Sequence, residues 1–136
     1  MSLSELVAIA AALLIGLVVV FQVALALGAP LGEATMGGRA AHVDGVLTPR
    51  YRVVALASGA LLVLAAVIVL SRAGVVDIGL AEPVVTIGTW VVVALSLLNT
   101  LTNLSGRHPL ERWGLSAVTL AVAFLAGYVA IAAPGL

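Results

Sequence analysis

The chain contains no cysteine and no lysine, and among its 136 residues only 4% are aromatic and 9% charged. Without cysteine there is no disulfide framework, thiol nucleophile, thiolate zinc site or cysteine-ligated cluster. Six arginines balance six acidic residues to a formal net charge of zero, so no global basic field attracts nucleic acid, which is not expected as a partner. What is present is apolar: 63% of the residues are hydrophobic and the mean hydropathy is +1.29. Soluble domains run at about 45–50% apolar and about 25% charged. An ordinary water-soluble fold is thereby excluded, and the expected surroundings are a lipid bilayer.

The few charges are segregated. Segments 6–27, 53–70, 84–103 and 113–133 carry none, where a random scatter would place about seven. Each segment is close to the ~20 residues that an α-helix needs to cross ~30 Å of hydrocarbon. Runs such as 61–70 do not alternate apolar with polar, which removes a β-barrel. Glycine and proline punctuate the ends, with Gly28 and Pro30 after the first segment, Pro49 before the second, Pro83 opening the third and Gly106 following it. The first segment ends in Ala24-Leu25-Ala26, which looks like a signal-peptide cleavage site. Against this, the amino end carries Glu5 and no basic side chain, and the apolar run exceeds the usual ~7–15 residues, so it is read as a retained helix. The expected fold is all-α: a polytopic membrane protein whose residues 1–136 form one four-helix transmembrane bundle with a long glycine-rich first loop.

An even number of spans puts the first and third loops on one side. Arg39, Arg50, Arg52, Arg107 and Arg112 fall there, against Arg72 alone on the other. The positive-inside rule then places the first and third loops in the cytoplasm and both termini outside.

Helix association in lipid relies on small residues and interhelical hydrogen bonds. Ala8, Ala12 and Gly16 form a small stripe on the first helix, and Thr119, Ala123 and Gly127 form one on the fourth. On the third, Ser96, Asn99, Asn103 and Gly106 share a face that should point inward. An unpaired amide in hydrocarbon costs several kcal/mol, so Asn99 and Asn103 are expected to seek Gln22, a backbone carbonyl or water. The first loop is longer than a connection requires. If it folds back, Glu33 approaches Arg52, Arg107 or Asn103 and builds a charged, amide-lined pocket at the cytoplasmic mouth. Expected ligand- or partner-binding residues are Gln22, Glu33, Arg39, Arg52, Asn99 and Asn103.

Little points to catalysis. His42, Asp44 and His108 lie in loops with no fixed metal-ligand spacing, neither histidine sits in a span to ligate haem, and no nucleophile elbow or phosphate-binding loop is present. No catalytic residue, metal or cofactor is expected. A proton-coupled exporter places a titratable carboxylate inside the bilayer, and the four charge-free segments hold none.

The string Gly28-Ala29-Pro30-Leu31-Gly32-Glu33-Ala34-Thr35-Met36-Gly37-Gly38, followed by Gly45-Val46-Leu47-Thr48-Pro49-Arg50-Tyr51-Arg52 and a second apolar span, resembles a group of small uncharacterised four-span bacterial integral membrane proteins. The resemblance covers the whole chain, and such proteins often carry an aromatic residue where Leu31 stands. It implies the four-span topology and singles out the first loop, without naming a reaction, substrate or cofactor; the expected location is a bacterial inner membrane. The expected function is non-enzymatic binding of a hydrophobic or amphipathic small molecule, or of a membrane partner, near the cytoplasmic side. An oligomeric transporter or channel subunit built from several copies is the alternative, and a membrane-embedded lipid or isoprenoid enzyme the third.

Overall fold

A computed structural model of the protein describes residues 1–134. Helix α1 spans Leu3–Ala26, α2 Pro49–Arg72 and α3 Glu82–Leu104; the fourth begins as a π-helical turn over Leu110–Leu115 and continues as α4, Ser116–Ala132. All four are long and apolar enough to cross a membrane, and together they make the all-α transmembrane bundle. Their starts lie outside the charge-free segments, at 3, 49, 82 and 110 rather than 6, 53, 84 and 113. Hydrocarbon thickness sets the apolar length, but backbone hydrogen bonding continues until a cap stops it. At the amino end that cap is a reciprocal box: the Ser2 hydroxyl accepts from the Glu5 N–H at 3.2 Å, and the Glu5 carboxylate accepts from the Ser2 N–H at 2.6 Å. Pro49 and Pro83 sit in the first turns of α2 and α3, where a missing N–H costs nothing.

The helices form a ring in chain order. Helix α1 packs along α2 and α4, α3 packs along α4 and less closely on α2, and α2 faces α4 across the diagonal. At the end carrying the chain termini the ring is closed by Ala8, Ala11, Val69, Ala73, Val92, Ala126 and Val129, small and branched side chains that bring the backbones close. The buried line on α1 runs Ala8, Ala11, Ile15, not the expected Ala8, Ala12, Gly16. A strict four-residue step rotates about 40° per interval around an α-helix, so a straight contact line alternates steps of three and four.

At the opposite end the first loop folds over the bundle as an ordered cap. It contains short 3-10 turns at Gly32–Ala34 and Met36–Gly38, then a two-residue-per-strand hairpin of β1 (His42–Val43) and β2 (Val46–Leu47), paired His42 to Leu47 and Val43 to Val46. Leu25, Ala40, Leu47 and Ala55 form its own small core, with Leu31, Met36 and Tyr51 packed against them. Arg52 donates from Nε to the Ala26 carbonyl at 2.8 Å, capping the end of α1 from α2. With the hairpin anchored above α1 and α2, the segment Thr35–Arg39 is carried across the middle of the bundle toward the third loop.

Candidate functional site

Where the first and third loops meet, the four helices do not close on one another. A cavity of about 590 Å³ descends from Thr35, Met36 and Gly37 of the first loop into the bundle. Its deeper walls are apolar, formed by Ile15, Leu62, Ala65, Val92 and Val122. Toward the loops the walls become polar, with Gln22, Arg39, Asn99, Asn103 and Glu111. From Gln22 to Ile15 the cavity follows α1 for about 10 Å, at 1.5 Å per residue.

Glu111 is the most deeply buried charge in this region, 3% exposed. It stands in the π-helical turn, where the Ser116 N–H donates to the Glu111 carbonyl and the Ser116 hydroxyl adds a longer contact at 3.4 Å. Both carboxylate oxygens accept from one donor, the Gly37 N–H, at 3.1 and 3.2 Å. Among the described residues no other group bonds to it. The amino end of the fourth helix contributes a partial positive charge at the same point. A carboxylate has about four acceptor sites, so one shared N–H leaves most of its capacity unused.

Gly106 makes this placement possible. Its Cα lies against the Glu111 carboxylate, and any β-carbon there would overlap Oε1. Gly106→Ala is therefore expected to destabilise the protein by about 2 kcal/mol, the usual cost of forcing atoms into a filled site. The loss should shrink below about 0.5 kcal/mol when Glu111 is already alanine, as a double-mutant cycle of reversible unfolding in mixed micelles would measure.

Gln22, Arg39, Asn99 and Asn103 all line the cavity, whereas Glu33 and Arg52 do not. Glu33 is exposed on the loop surface, and Arg52 is committed to the Ala26 carbonyl. The acid that turns inward is Glu111, which lies just before the charge-free segment 113–133 and within the fourth long apolar helix, Leu110–Ala132. The sequence held one signal for this. His108-Pro109 is a helix-start pattern, which puts an acid two residues later in the first turn; His108 Nδ1 indeed accepts from the Leu110 N–H at 3.1 Å.

The amide face of α3 is rotated from its expected position. The buried line is Val85, Thr89, Val92, Ser96 and Thr100, while Asn103 is half-buried and Asn99 exposed at the rim. Thr100 sets this rotation through a 2.8 Å hydroxyl–hydroxyl bond to Thr119 of α4. A threonine hydroxyl tolerates burial because it also bonds its own helix, here the Ser96 carbonyl at 2.8 Å. An amide has four bonding sites and belongs where water or a ligand reaches it. Nor does Gln22 pair with the asparagines: its Oε1 is buried with no partner among the described residues, and its stem rests on Gly59 of α2.

Comparison with models of protein families, with curated proteins and with solved structures finds no match to this chain, so its functional reading rests on the geometry of the cavity.

Proposed function

We propose that the protein is a bacterial inner-membrane protein that binds an amphipathic small molecule in this cavity, with the loop end facing the cytoplasm. The observation that carries the reading is the polarity gradient: polar groups gather at the loop end of a recess whose deeper walls are apolar. Its volume lies within the ~300–1,000 Å³ of small-molecule sites. Leu61 of α2 and Leu95 of α3 border the cavity and are 67% and 54% exposed, so the recess opens sideways between these helices as well as upward. An amphiphile dissolved in the bilayer enters by that route with its apolar body in hydrocarbon throughout. The orientation is supported by five arginines at the loop end against one at the other. The polar groups lie within one chain, which favours a binding site over a pore built between copies.

The absence of cysteine makes the test direct. Ala65→Cys puts one thiol deep in the cavity, and Val43→Cys puts one on the exposed face of the loop hairpin, outside the spans. In lipid nanodiscs, dodecyl amphiphiles are expected to slow maleimide labelling at position 65 about tenfold once about nine-tenths of the cavities are occupied. Labelling at position 43 should not change. Equal rates at position 65 with and without dodecylamine, dodecanol or dodecanoate would refute the reading.

A further inference from the structure

We infer that the occupant's head is a protonated amine, received by Glu111; the inference rests on the amphiphile reading and adds to it the chemistry of the head. Two charged side chains line the cavity, and they are not equivalent. Arg39 is exposed at the rim above Gly37, where water screens its charge. Glu111 is 3% exposed and meets only one hydrogen-bond donor, the neutral Gly37 N–H, besides the partial positive charge of its own helix end. Charge buried in a membrane-spanning segment is costly and ordinarily finds a partner, and here, among the described residues, no cation lies within bonding reach of Glu111. Glu111 is one of the residues that line the cavity, with Gly37 and Gly106 packed against its carboxylate. A group filling that cavity meets an acceptor with unused lone pairs, so it must donate hydrogen bonds, and a positive charge roughly doubles their strength.

The neighbouring polar residues suit such a head. Gln22 carries an unpartnered Oε1, and rotation about the last torsion of a glutamine side chain is soft, so its amide oxygen can turn toward a second ammonium proton. Asn103 lines the same cavity with a further amide. An ammonium has three N–H donors, matching Glu111, Gln22 and an asparagine. A quaternary ammonium has the charge without the donors, and an alcohol has a donor without the charge.

The test uses the Ala65→Cys protein in nanodiscs and the labelling rate as readout. Dodecylamine is expected to protect the thiol at about one-tenth the membrane mole fraction that dodecanol requires, with dodecyltrimethylammonium intermediate and dodecanoate weakest. In Glu111→Gln the advantage of the amine over the alcohol should fall below about twofold while protection by dodecanol persists. The amide retains an oxygen for the Gly37 N–H, and Glu111→Asp, which keeps the charge, should retain part of the preference. Equal protection by amine, alcohol and carboxylate in the parent protein would overturn the inference and leave the amphiphile reading standing, as would an amine advantage that survives in Glu111→Gln. Protection by none of them would overturn both. If Glu111→Gln fails to assemble, the ranking of heads in the parent protein and in Glu111→Asp still decides.

Discussion

Gly45→Ala is expected to release the first loop from the bundle at a cost of about 3 kcal/mol. Gly45 has φ +82°, and a β-carbon there would sit 2.7 Å from the Pro30 carbonyl oxygen. The left-handed conformation alone costs a non-glycine residue about 1–2 kcal/mol. The clash adds to this because the obstructing atom is backbone and cannot swing aside. Relieving it parts the two chain segments and breaks the 2.7 Å hydrogen bond from the Gly32 N–H to the Gly45 carbonyl, a further ~1 kcal/mol. Asp44→Ala is the informative control. Asp44 has φ 51° but is exposed, so alanine there meets only the conformational penalty and should cost about 1 kcal/mol. Reversible unfolding in mixed micelles gives both values. Hydrogen exchange at the Gly32 amide should accelerate strongly in Gly45→Ala and little in Asp44→Ala. Equal effects would mean that the crossing of the two segments does not hold the loop.

Arg72→Met is expected to cost about 2–3 kcal/mol at the other end of the molecule. Arg72 is 8% exposed at the end of α2 and donates across the bundle diagonal to the carbonyls of Ala130 at 3.1 Å, Ala133 at 3.3 Å and Pro134 at 3.3 Å. These belong to the last turn of α4 and the residues just after it, where carbonyls lack partners within the helix. A cation there gains from the helix dipole as well as from charged hydrogen bonds, worth about 1.5–3 kcal/mol each before the cost of burying the guanidinium. Methionine preserves much of the volume and removes every donor. Arg72→Lys should recover less than half, because a point charge cannot reach three carbonyls as a planar fork does. Unfolding in micelles measures the loss, and proteolysis should show α4 fraying from its carboxyl end. A stability change below about 0.5 kcal/mol, typical of surface sites, would show the contact to be incidental.

How much of this was legible in the sequence follows from where each feature's cause lies. The four helices were legible because bilayer thickness imposes a charge-free length on each of them. Their ends were less so, since Ser2, Glu5 and Pro49 belong to caps that form outside that length. Gln22 and Asn103 could be singled out because an amide among apolar residues needs a polar neighbour or water, and the cavity provides that environment. The hairpin at His42–Leu47 carried a readable sign, Asp44-Gly45 between apolar residues, which is the composition of a tight two-residue turn. Which acid turns inward was not readable from local pattern. Glu33 lies in the loop that folds back, yet the anchoring of Leu31 and Leu47 on the helix ends leaves it on the outside. Glu111 enters because Gly106 leaves room for it and Gly37 of a distant loop meets it. Both conditions depend on residues brought together only by the assembled fold.

The wide turn that opens the fourth helix has an electrical consequence. The buried line of α4 runs back from Ala130 through Ala126, Ala123, Thr119 and Ser116. In an unbroken α-helix its next member would be Arg112, one turn before Ser116. The π turn carries an additional residue, so the position aligned with Ser116 is Glu111, five residues earlier, and Arg112 is turned outward to lie over the Trp113 ring at 5.2 Å. Which charge is buried in the recess is thus set by how many peptide units wind into a single turn: the same amino acids wound one residue tighter would align Arg112, a guanidinium, with Ser116 in place of the Glu111 carboxylate.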